Sequence, residues 1–303
     1  MQLPNTPNTI AIIDNKEYLF FSGTSYLGIS MLPDFQEIVT KSIQNWGIAY
    51  GSSRNANLKL DIYQKGEQFL SSFLQTEDAV TVSSGTLASQ FAIRALEKKA
   101  VGFYAMPKSH PSILPQNASP VFENGNIHPS LLKENQSICI VADAIPALEM
   151  SPFSFDFLDQ IPISSKVYLL IDESHSLGVL GQHGSGVSSQ LSNLKNVEFI
   201  GSAGMNPAFL DAFVQAQELY QNQGKKLQEN IQYVYHQLKE VSEVRISKNY
   251  PVFFFEDEKI TDYLYQKNIL ITSFYYPATP KKINRIVLNA NHTKEQLHIL
   301  VKV

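Results

Sequence analysis

The segment 168–186 brings together an acid, a histidine and several glycines at the end of an apolar run. Asp172 follows the run directly, and His175 lies three residues further on. A buried carboxylate is costly unless it meets a cation, and a protonated pyridine nitrogen is such a cation. The positive charge of that nitrogen makes the pyridine ring an electron sink. His175 could then form a hydrogen bond with the phenolic oxygen of the ring. The alternative is an Asp172 that only caps the turn after the strand.

A second segment that could bind a ligand is 80–86, where an apolar run is followed by serines, a glycine and a threonine. A helix is predicted to begin there and to extend to about Glu97. Backbone N–H groups of Gly85 and its neighbours, with the hydroxyls of Ser84 and Thr86, would form an anion site at the helix N-terminus. The alternative is ordinary N-capping by a hydroxyl side chain.

A third candidate is His110, which follows the apolar run 102–105. Its flat ring could stack on a planar cofactor. The alternative is a solvated loop histidine without a ligand. We predict no metal site.

These residues lie where strands of a predicted α/β fold should end. Short apolar runs at 79–82, 102–105, 138–141 and 167–171 alternate with helical stretches, which is typical of βαβ units and a mostly parallel sheet with helices on both faces. Open α/β sheets bind ligands beyond the carboxyl ends of their strands. We expect three parts: an N-terminal hairpin and helix (1–43), a large cofactor-binding domain (44–198), and a long helix with a small C-terminal α+β domain (199–303).

Composition narrows the class of protein. The chain has 303 residues and a formal net charge of -4, which gives no electrostatic reason to bind nucleic acid or an anionic membrane surface. No apolar run reaches the roughly 18 to 20 residues that span a bilayer, and the first residues do not resemble a signal peptide. The single cysteine, Cys139, lies in an apolar run and is expected to be buried. Together these features predict a cytoplasmic protein.

Further motifs occur in a fixed order around the three segments. They are Tyr26-Leu-Gly28, Gly51-Ser-Ser-Arg54 with Glu67, Ser84-Gly85, Ser109-His-Pro-Ser-Ile113, Asp172-Glu-Ser-His-Ser-Leu-Gly178, Arg285-Ile-Val-Leu-Asn-Ala290 and His292-Thr293. In these motifs the chain resembles the α-oxoamine synthases, a family of fold-type I pyridoxal-phosphate enzymes. The resemblance extends from the first hairpin to the last residues.

The resemblance implies a cofactor and roles for the residues. The cofactor would be pyridoxal 5'-phosphate, with Asp172 at the pyridine nitrogen, His175 at the phenolic oxygen and His110 stacked on the ring. The turn at Ser84, Gly85 and Thr86 would bind the phosphate. Arg285, with Tyr26, would bind the carboxylate of an amino acid, for which a bidentate guanidinium is well suited.

The same resemblance implies an activity and an assembly. The activity is condensation of a small amino acid with an acyl-CoA or acyl carrier protein thioester. An aminotransferase or an aldolase on the same fold is the alternative. A homodimer is expected, with 51–54 near the cofactor of the partner subunit.

Three positions depart from the family pattern. Tyr63 replaces a histidine, Leu58 replaces a glycine, and the segment 143–150 keeps only the acid, Asp143, of a longer motif. These changes leave the identity of the second substrate open.

The lysine that forms a Schiff base with the cofactor in this family has no counterpart at the expected place. It should follow Asp172 by one βαβ step, but 196–208 contains no lysine. Either the lysine has been replaced, which gives a non-catalytic relative, or a segment of several dozen residues is absent near 197–205. Absence is favoured because the other site residues remain, and it predicts a chain break near 197–199.

Overall fold

A computed structural model describes residues 2–52, 54, 57–99, 101–146, 148–187, 197–200, 206–275 and 282–303, with 197–200 described as backbone only. These residues belong to two compact units. The central unit consists of Glu37–Leu177 and Ser185–Gln215, and the terminal unit of Met1–Gln36, Gly178–Gly184 and Ala216–Val303. The terminal unit therefore combines both ends of the chain.

In the described part of the central unit, three α-helices come first, seven strands joined by loops and short 3-10 turns follow, and a fourth α-helix comes last. In chain order the elements are β1 (Ile10–Ile13), β2 (Lys16–Phe21), α1 (Pro33–Trp46), α2 (Asp61–Leu74), α3 (Gly85–Glu97), β3 (Gly102–Ala105), β4 (Ser119–Pro120), β5 (Phe122–Glu123), β6 (Asn126–Ile127), β7 (Ser137–Asp143), β8 (Lys166–Asp172), β9 (Val197–Ile200), α4 (Pro207–Gln215), α5 (Gln217–Leu238), β10 (Val244–Arg245), β11 (Val252–Phe255), α6 (Ile260–Gln266), β12 (Ile269–Tyr275), β13 (Lys282–Val287) and α7 (Lys294–Lys302).

A five-stranded sheet organises the central unit, in the order β4-β3-β7-β8-β9. All four pairings are parallel, and β7 and β8 pair over seven residues with Asp143 opposite Asp172. Both strands are nearly continuous buried apolar runs, as expected for parallel strands covered on both faces. The mostly parallel sheet with helices that the sequence predicts is confirmed. The expected alternation of its strands with helical stretches is wrong, because short 3-10 turns and loops, not α-helices, join β3, β7 and β8.

The core of the central unit contains the single cysteine. Cys139 on β7 is fully buried in a cluster with Phe103, Leu96 and Tyr168. Burial raises the pKa of its thiol to about 12, so the side chain stays protonated and packs as a small apolar group. The prediction of a buried Cys139 is confirmed.

Helices α2 and α4 pack closely in the central unit because one residue on α2 lacks a side chain. A Cβ built on Gly66 would meet side-chain atoms of Leu210 at 2.5–2.7 Å. Leu210 itself is fully buried. Glycine at position 66 therefore sets the distance between the two helices.

The terminal unit is built on a six-stranded sheet in the order β1-β2-β12-β13-β11-β10. β1 and β2 form a hairpin whose turn residues, Asp14 and Asn15, have φ values of 49° and 59°. Asn and Asp adopt the left-handed region more readily than most residues, which explains their place in this turn. β2 pairs in parallel with β12, and the other pairings are antiparallel.

Several sequence expectations need correction. Residues 79–82 form no strand: Thr81 donates its N–H to the Glu67 carboxylate at 2.7 Å instead of joining a ladder. The helical stretch after residue 206 is divided into α4 and α5 at Ala216. The expected chain break near 197–199 is wrong, because β9 continues through Val197–Ile200 and pairs with β8 residue by residue.

Two expectations are left open. Of the stretch 197–205, where a segment with the lysine was expected to be missing, residues 201–205 lie outside the described residues. The division at 43/44 and 198/199 stays a prediction. Within the described residues no helix has the length and apolar character needed to cross a bilayer.

Candidate functional site

Two carboxylates end neighbouring strands of the central unit. Asp143 closes β7, Asp172 closes β8, and their Cα atoms are partners in the sheet register. Asp172 is half-buried, and its Oδ1 accepts a hydrogen bond from the Ser174 N–H at 2.9 Å. The turn-capping role considered for Asp172 is thus present, and it occupies one of the two carboxylate oxygens.

Asp143 is the more buried of the two acids, with 4% of its surface exposed. Burial raises the pKa of its carboxyl to about 6, and the charge of Asp172 acts in the same direction. A hydrogen bond from the His110 backbone N–H, at 3.0 Å from Oδ1, opposes this rise in pKa. Asp143 therefore binds its proton at a higher pH than an exposed aspartate does.

His110 lies in the loop that follows β3, and its ring is exposed. The Nδ1 atom lies 2.7 Å from Ser112 Oγ and accepts a hydrogen bond from the Ser112 N–H at 3.2 Å. Because Nδ1 accepts, the neutral ring carries its proton on Nε2. The predicted residues His110 and Asp172 are thus brought to one edge of the sheet, connected through Asp143.

The glycine-rich loop after Asp172 is held by Glu173. Both carboxylate oxygens of Glu173 accept from the Val187 N–H, at 3.0 and 3.1 Å, and Ser176 Oγ donates to the same carboxylate. Gly186 has φ +87°, and a Cβ there would meet Glu173 Oε2 at 2.8 Å. His175, half-buried, lies within this turn. Sequence reasoning missed the role of Glu173, because a glutamate 13 residues before a glycine gives no local signal for this contact.

The turn at Ser84, Gly85 and Thr86 lies at the start of α3, and all three residues are exposed. Ser84 is the N-cap, and its Oγ accepts from the Leu87 N–H at 3.2 Å. Ser84 therefore caps the helix, which was the alternative role considered for this turn. The first-turn N–H groups of a helix also lack intrahelical acceptors, so they remain suited to an anion.

A network of polar contacts holds the segment that leads to this turn. Arg54 donates from Nη2 to Glu67 Oε1 at 2.7 Å and from Nη1 to the Thr81 carbonyl at 2.6 Å. Its guanidinium lies 4.2 Å from the ring centroid of Tyr63. Tyr63 thus stacks on Arg54 at the position where the family pattern has a histidine. A cavity of about 410 Å³ adjoins the network and is lined partly by Tyr50, Tyr63 and Ser83.

Arg285 is the cation of the terminal unit's candidate site. It lies on β13 between β11 and β12, and its Nε is buried without a hydrogen-bond partner. In the described part of the chain, no carboxylate lies within ion-pair distance of its guanidinium, which is 5.2 Å from the Phe274 ring. A buried donor of this kind favours an incoming anion.

Two buried tyrosines accompany Arg285. The hydroxyls of Tyr26 and Tyr250 lie 3.5 Å apart, and both residues are at most 5% exposed. Burial raises the pKa of each phenol, while the Arg285 charge lowers it. The predicted pair of Tyr26 and Arg285 is therefore brought together. Sequence reasoning did not identify Tyr250, whose position depends on the fold of β11.

The Tyr-Leu-Gly motif is fixed by packing within the terminal unit. The Tyr26 carbonyl accepts from the Ala290 N–H at 2.9 Å. Gly28 has φ +58°, and a Cβ there would collide with the side chains of Asn289 and Asn291. The N-terminal and C-terminal motifs named from the sequence thus form one structural group.

His292 completes this group as a buried structural residue. Its Nδ1 accepts from the Asn289 N–H at 2.9 Å, and its Nε2 donates to the Phe20 carbonyl at 3.0 Å. The ring stacks on Phe21 with centroids 4.1 Å apart. Burial lowers the pKa of His292 to about 4, so the ring is neutral at neutral pH.

Relatives among known proteins extend along almost the whole chain, although no family model matches it. The chain is 23% identical to 8-amino-7-oxononanoate synthase of Petrotoga mobilis, covering 94% of the chain and 87% of the relative. It is 24% identical to the enzyme of that name from Lysinibacillus sphaericus, covering 99% and 92%. It is 28% identical to serine palmitoyltransferase of Sphingobacterium spiritivorum, covering 68% and 55%.

One alignment also shows that this chain is shorter than its relative. The comparison with the Lysinibacillus sphaericus protein extends over 356 positions, and this chain has 303 residues, so at least 53 positions of the relative have no counterpart here. A shortfall of several dozen residues relative to the family was expected from the sequence.

Solved structures share the fold. Serine palmitoyltransferase of Sphingomonas wittichii superposes with a TM-score of 0.76 at 17% identity, over 97% of this chain and 88% of that one. The 8-amino-7-oxononanoate synthase of Francisella tularensis gives 0.67 at 20% identity, over 94% and 97%. A further neighbour, with a TM-score of 0.78 and 18% identity, is a serine palmitoyltransferase solved with pyridoxal phosphate, and the match covers 99% of this chain and 90% of that one.

Proposed function

We propose that this chain, a member of the α-oxoamine synthase family of fold-type I pyridoxal-phosphate enzymes, joins a small amino acid to an acyl thioester to give an α-amino ketone. Two relatives named 8-amino-7-oxononanoate synthase match 94% and 99% of the chain, and one named serine palmitoyltransferase matches 68%. The observation that carries the proposal is the carboxylate Asp172 at the end of a buried parallel strand, beside Asp143 and the His110 loop.

The residues present fit pyridoxal 5'-phosphate. A pair of carboxylates at the strand ends suits a protonated pyridine nitrogen. The exposed N-terminus of α3, at Ser84, Gly85 and Thr86, suits a phosphate. When bound, the ring supplies an electron sink for the bonding electrons of the substrate Cα.

The chain's own side chains would then have distinct roles. Asp172 keeps the ring nitrogen protonated, His175 donates to the phenolic oxygen, and His110 covers one face of the ring. Arg285 binds the amino-acid carboxylate, supported by its buried Nε without a partner, and Tyr26 lines the same site. The acyl donor would be an acyl-CoA or an acyl carrier protein thioester.

Thioester consumption tests the activity. The protein is incubated with pyridoxal phosphate, an acyl-CoA series and glycine, alanine or serine, and the release of free thiol is followed. We expect release with one of these amino acids. Bound yellow cofactor without thioester consumption in any combination would refute the synthase, and amino transfer from glutamate to an oxo acid would indicate an aminotransferase instead.

A second candidate is a non-catalytic homologue, which is favoured by the shortfall of at least 53 aligned positions and the lack of a lysine in 196–208. Such a protein would act as a scaffold or regulatory subunit. Intact mass of the protein purified from its native cell separates the two. A mass of 34.0 kDa would leave no room for a lysine segment and would support the homologue, whereas a larger mass would support the enzyme.

We also propose a cytoplasmic homodimer. Five apolar side chains of the central unit are at least half exposed, namely Ile48, Leu58, Val80, Phe91 and Ile163, which are 50–80% exposed. Exposed apolar side chains are frequent at subunit interfaces. Sedimentation at micromolar concentration should give the mass of a dimer, and a monomer would count against the assembly.

A further inference from the structure

Asp143 lies between two parts of the candidate site. β7 is flanked in the sheet by β3, which leads to His110, and by β8, which ends at Asp172. The Asp143 Oδ1 atom accepts from the His110 N–H, and its Cα pairs with that of Asp172. One buried carboxylate therefore contacts the loop on one side and is next to the second carboxylate on the other.

Hydrogen bonds attach the loop to β7. The Met106 N–H donates to the Val141 carbonyl at 2.8 Å, and Ser109 Oγ donates to the same carbonyl at 3.4 Å. Both contacts end on backbone oxygens, which almost any residue would supply. In the described part of the chain, the His110 N–H to Asp143 contact is the hydrogen bond of this loop that ends on a β7 side chain, and Ile113 shares a buried cluster with Cys139 and Val141 of β7.

The charge of Asp143 matters as well as its hydrogen bond. The charged or titratable groups that act on it are Asp172 and His110. Because two acids end adjacent strands, the charge of Asp172 disfavours the ionised form of Asp143. A cation that binds between or beside them relieves this repulsion.

We propose that Asp143 is a positioning residue of the site, which fixes the His110 loop and adds a second negative charge that favours a protonated ring beside Asp172. The identity of that ring, pyridoxal phosphate, rests on the proposed function. The attachment of the loop does not depend on it.

Limited trypsin digestion tests the attachment without cofactor. Lys108 is exposed and precedes His110, so loosening of the loop exposes the bond after Lys108. Asp143→Ala removes the acceptor, and we expect cleavage there to be about tenfold faster, the effect of losing one hydrogen bond. Asp143→Asn keeps an acceptor oxygen and should stay within about twofold of the wild type.

A matched control addresses access to Lys108 itself. Glu149→Gln removes the ion pair of Lys108 but leaves the Asp143 contact, so it measures how far the freed side chain alone accelerates cleavage. Equal cleavage of the wild type and Asp143→Ala, with both folded by circular dichroism, would overturn the attachment. If Asp143→Ala does not fold, slow cleavage of Asp143→Asn supports it and fast cleavage overturns it.

Cofactor affinity tests the charge. Dissociation constants for pyridoxal phosphate are measured for the wild type and Asp143→Asn from pH 5 to pH 7.5. We expect similar affinities at pH 5, where Asp143 is mostly neutral, and about tenfold tighter binding by the wild type at pH 7.5. A ratio that does not change with pH would overturn the charge role. A wild type that binds no cofactor would refute the proposed function, while the trypsin result still decides the attachment.

Discussion

Protonation of His292 should destabilise the terminal unit in mildly acidic solution. The folded pKa of about 4 lies below the 6.5 of an unperturbed histidine, so between these values the unfolded chain binds a proton that the folded chain does not. The contribution of His292 to stability is therefore complete above pH 6.5 and is lost as the pH falls to 4. At about 1.4 kcal/mol per pH unit, the loss amounts to about 3 kcal/mol.

The pH profile of the wild type alone does not isolate this effect. Asp143, whose pKa is raised to about 6 from 3.8, contributes with the opposite sign, because the folded state binds its proton more tightly and loses stability as the pH rises from 3.8 to 6. The free energy of unfolding in urea should therefore be measured from pH 7.5 to pH 4.5 for the wild type and His292→Gln. We expect the variant to lose less stability on acidification.

A matched control and a refuting result complete this experiment. His298→Gln removes an exposed histidine on α7 and is the matched control for the loss of one imidazole. If His292→Gln and the wild type lose the same free energy on acidification, the neutral buried ring inferred here is wrong.

Three further predictions concern other parts of the structure. Gly66→Ala should lower the free energy of unfolding in urea by about 1–3 kcal/mol, because the new methyl group meets Leu210. In the control Gly224→Ala, on α5, the methyl group meets nothing within 4 Å, and the free energy of unfolding should rise by up to about 1 kcal/mol. Equal effects of the two substitutions would refute the close packing of α2 on α4. If Arg285 binds the amino-acid carboxylate as proposed, Arg285→Lys should raise the KM for the amino acid about tenfold or more with a smaller change in kcat, because lysine cannot make a bidentate contact. An unchanged KM in steady-state assays would contradict this role. Asp172→Asn should weaken pyridoxal phosphate binding about tenfold or more in an absorbance titration, and unaltered binding would contradict the strand-end site.

The sequence predicts well what depends on local pattern. The apolar run of β7 could be recognised as a buried strand, and Asp14 with Asn15 marks the hairpin turn. The run at 79–82 has a similar composition but forms no strand. Val80 is 67% exposed, and the Thr81 N–H donates to Glu67, and no local sequence pattern reveals either feature.

The relation between distant residues was less accessible. That Asp143 would bind His110 depends on β3 and β7 being neighbours, which follows from the sheet order rather than from spacing along the chain. The contact between Tyr26 and Tyr250 spans 224 positions and depends on the terminal sheet. The family resemblance supplied Tyr26 and Arg285, but Tyr250 belongs to no motif of that resemblance.

The parallel pairing of β2 with β12 has a consequence during synthesis of the protein. Leu19 pairs with Ile269, so one edge of the first hairpin has no partner until about 250 further residues have been made. At roughly 10 residues per second this takes on the order of half a minute, during which the central unit can already fold. An unpaired apolar strand edge is a site of aggregation. A nascent chain stalled before β12 should therefore need a chaperone at its N-terminal hairpin more than at its parallel sheet.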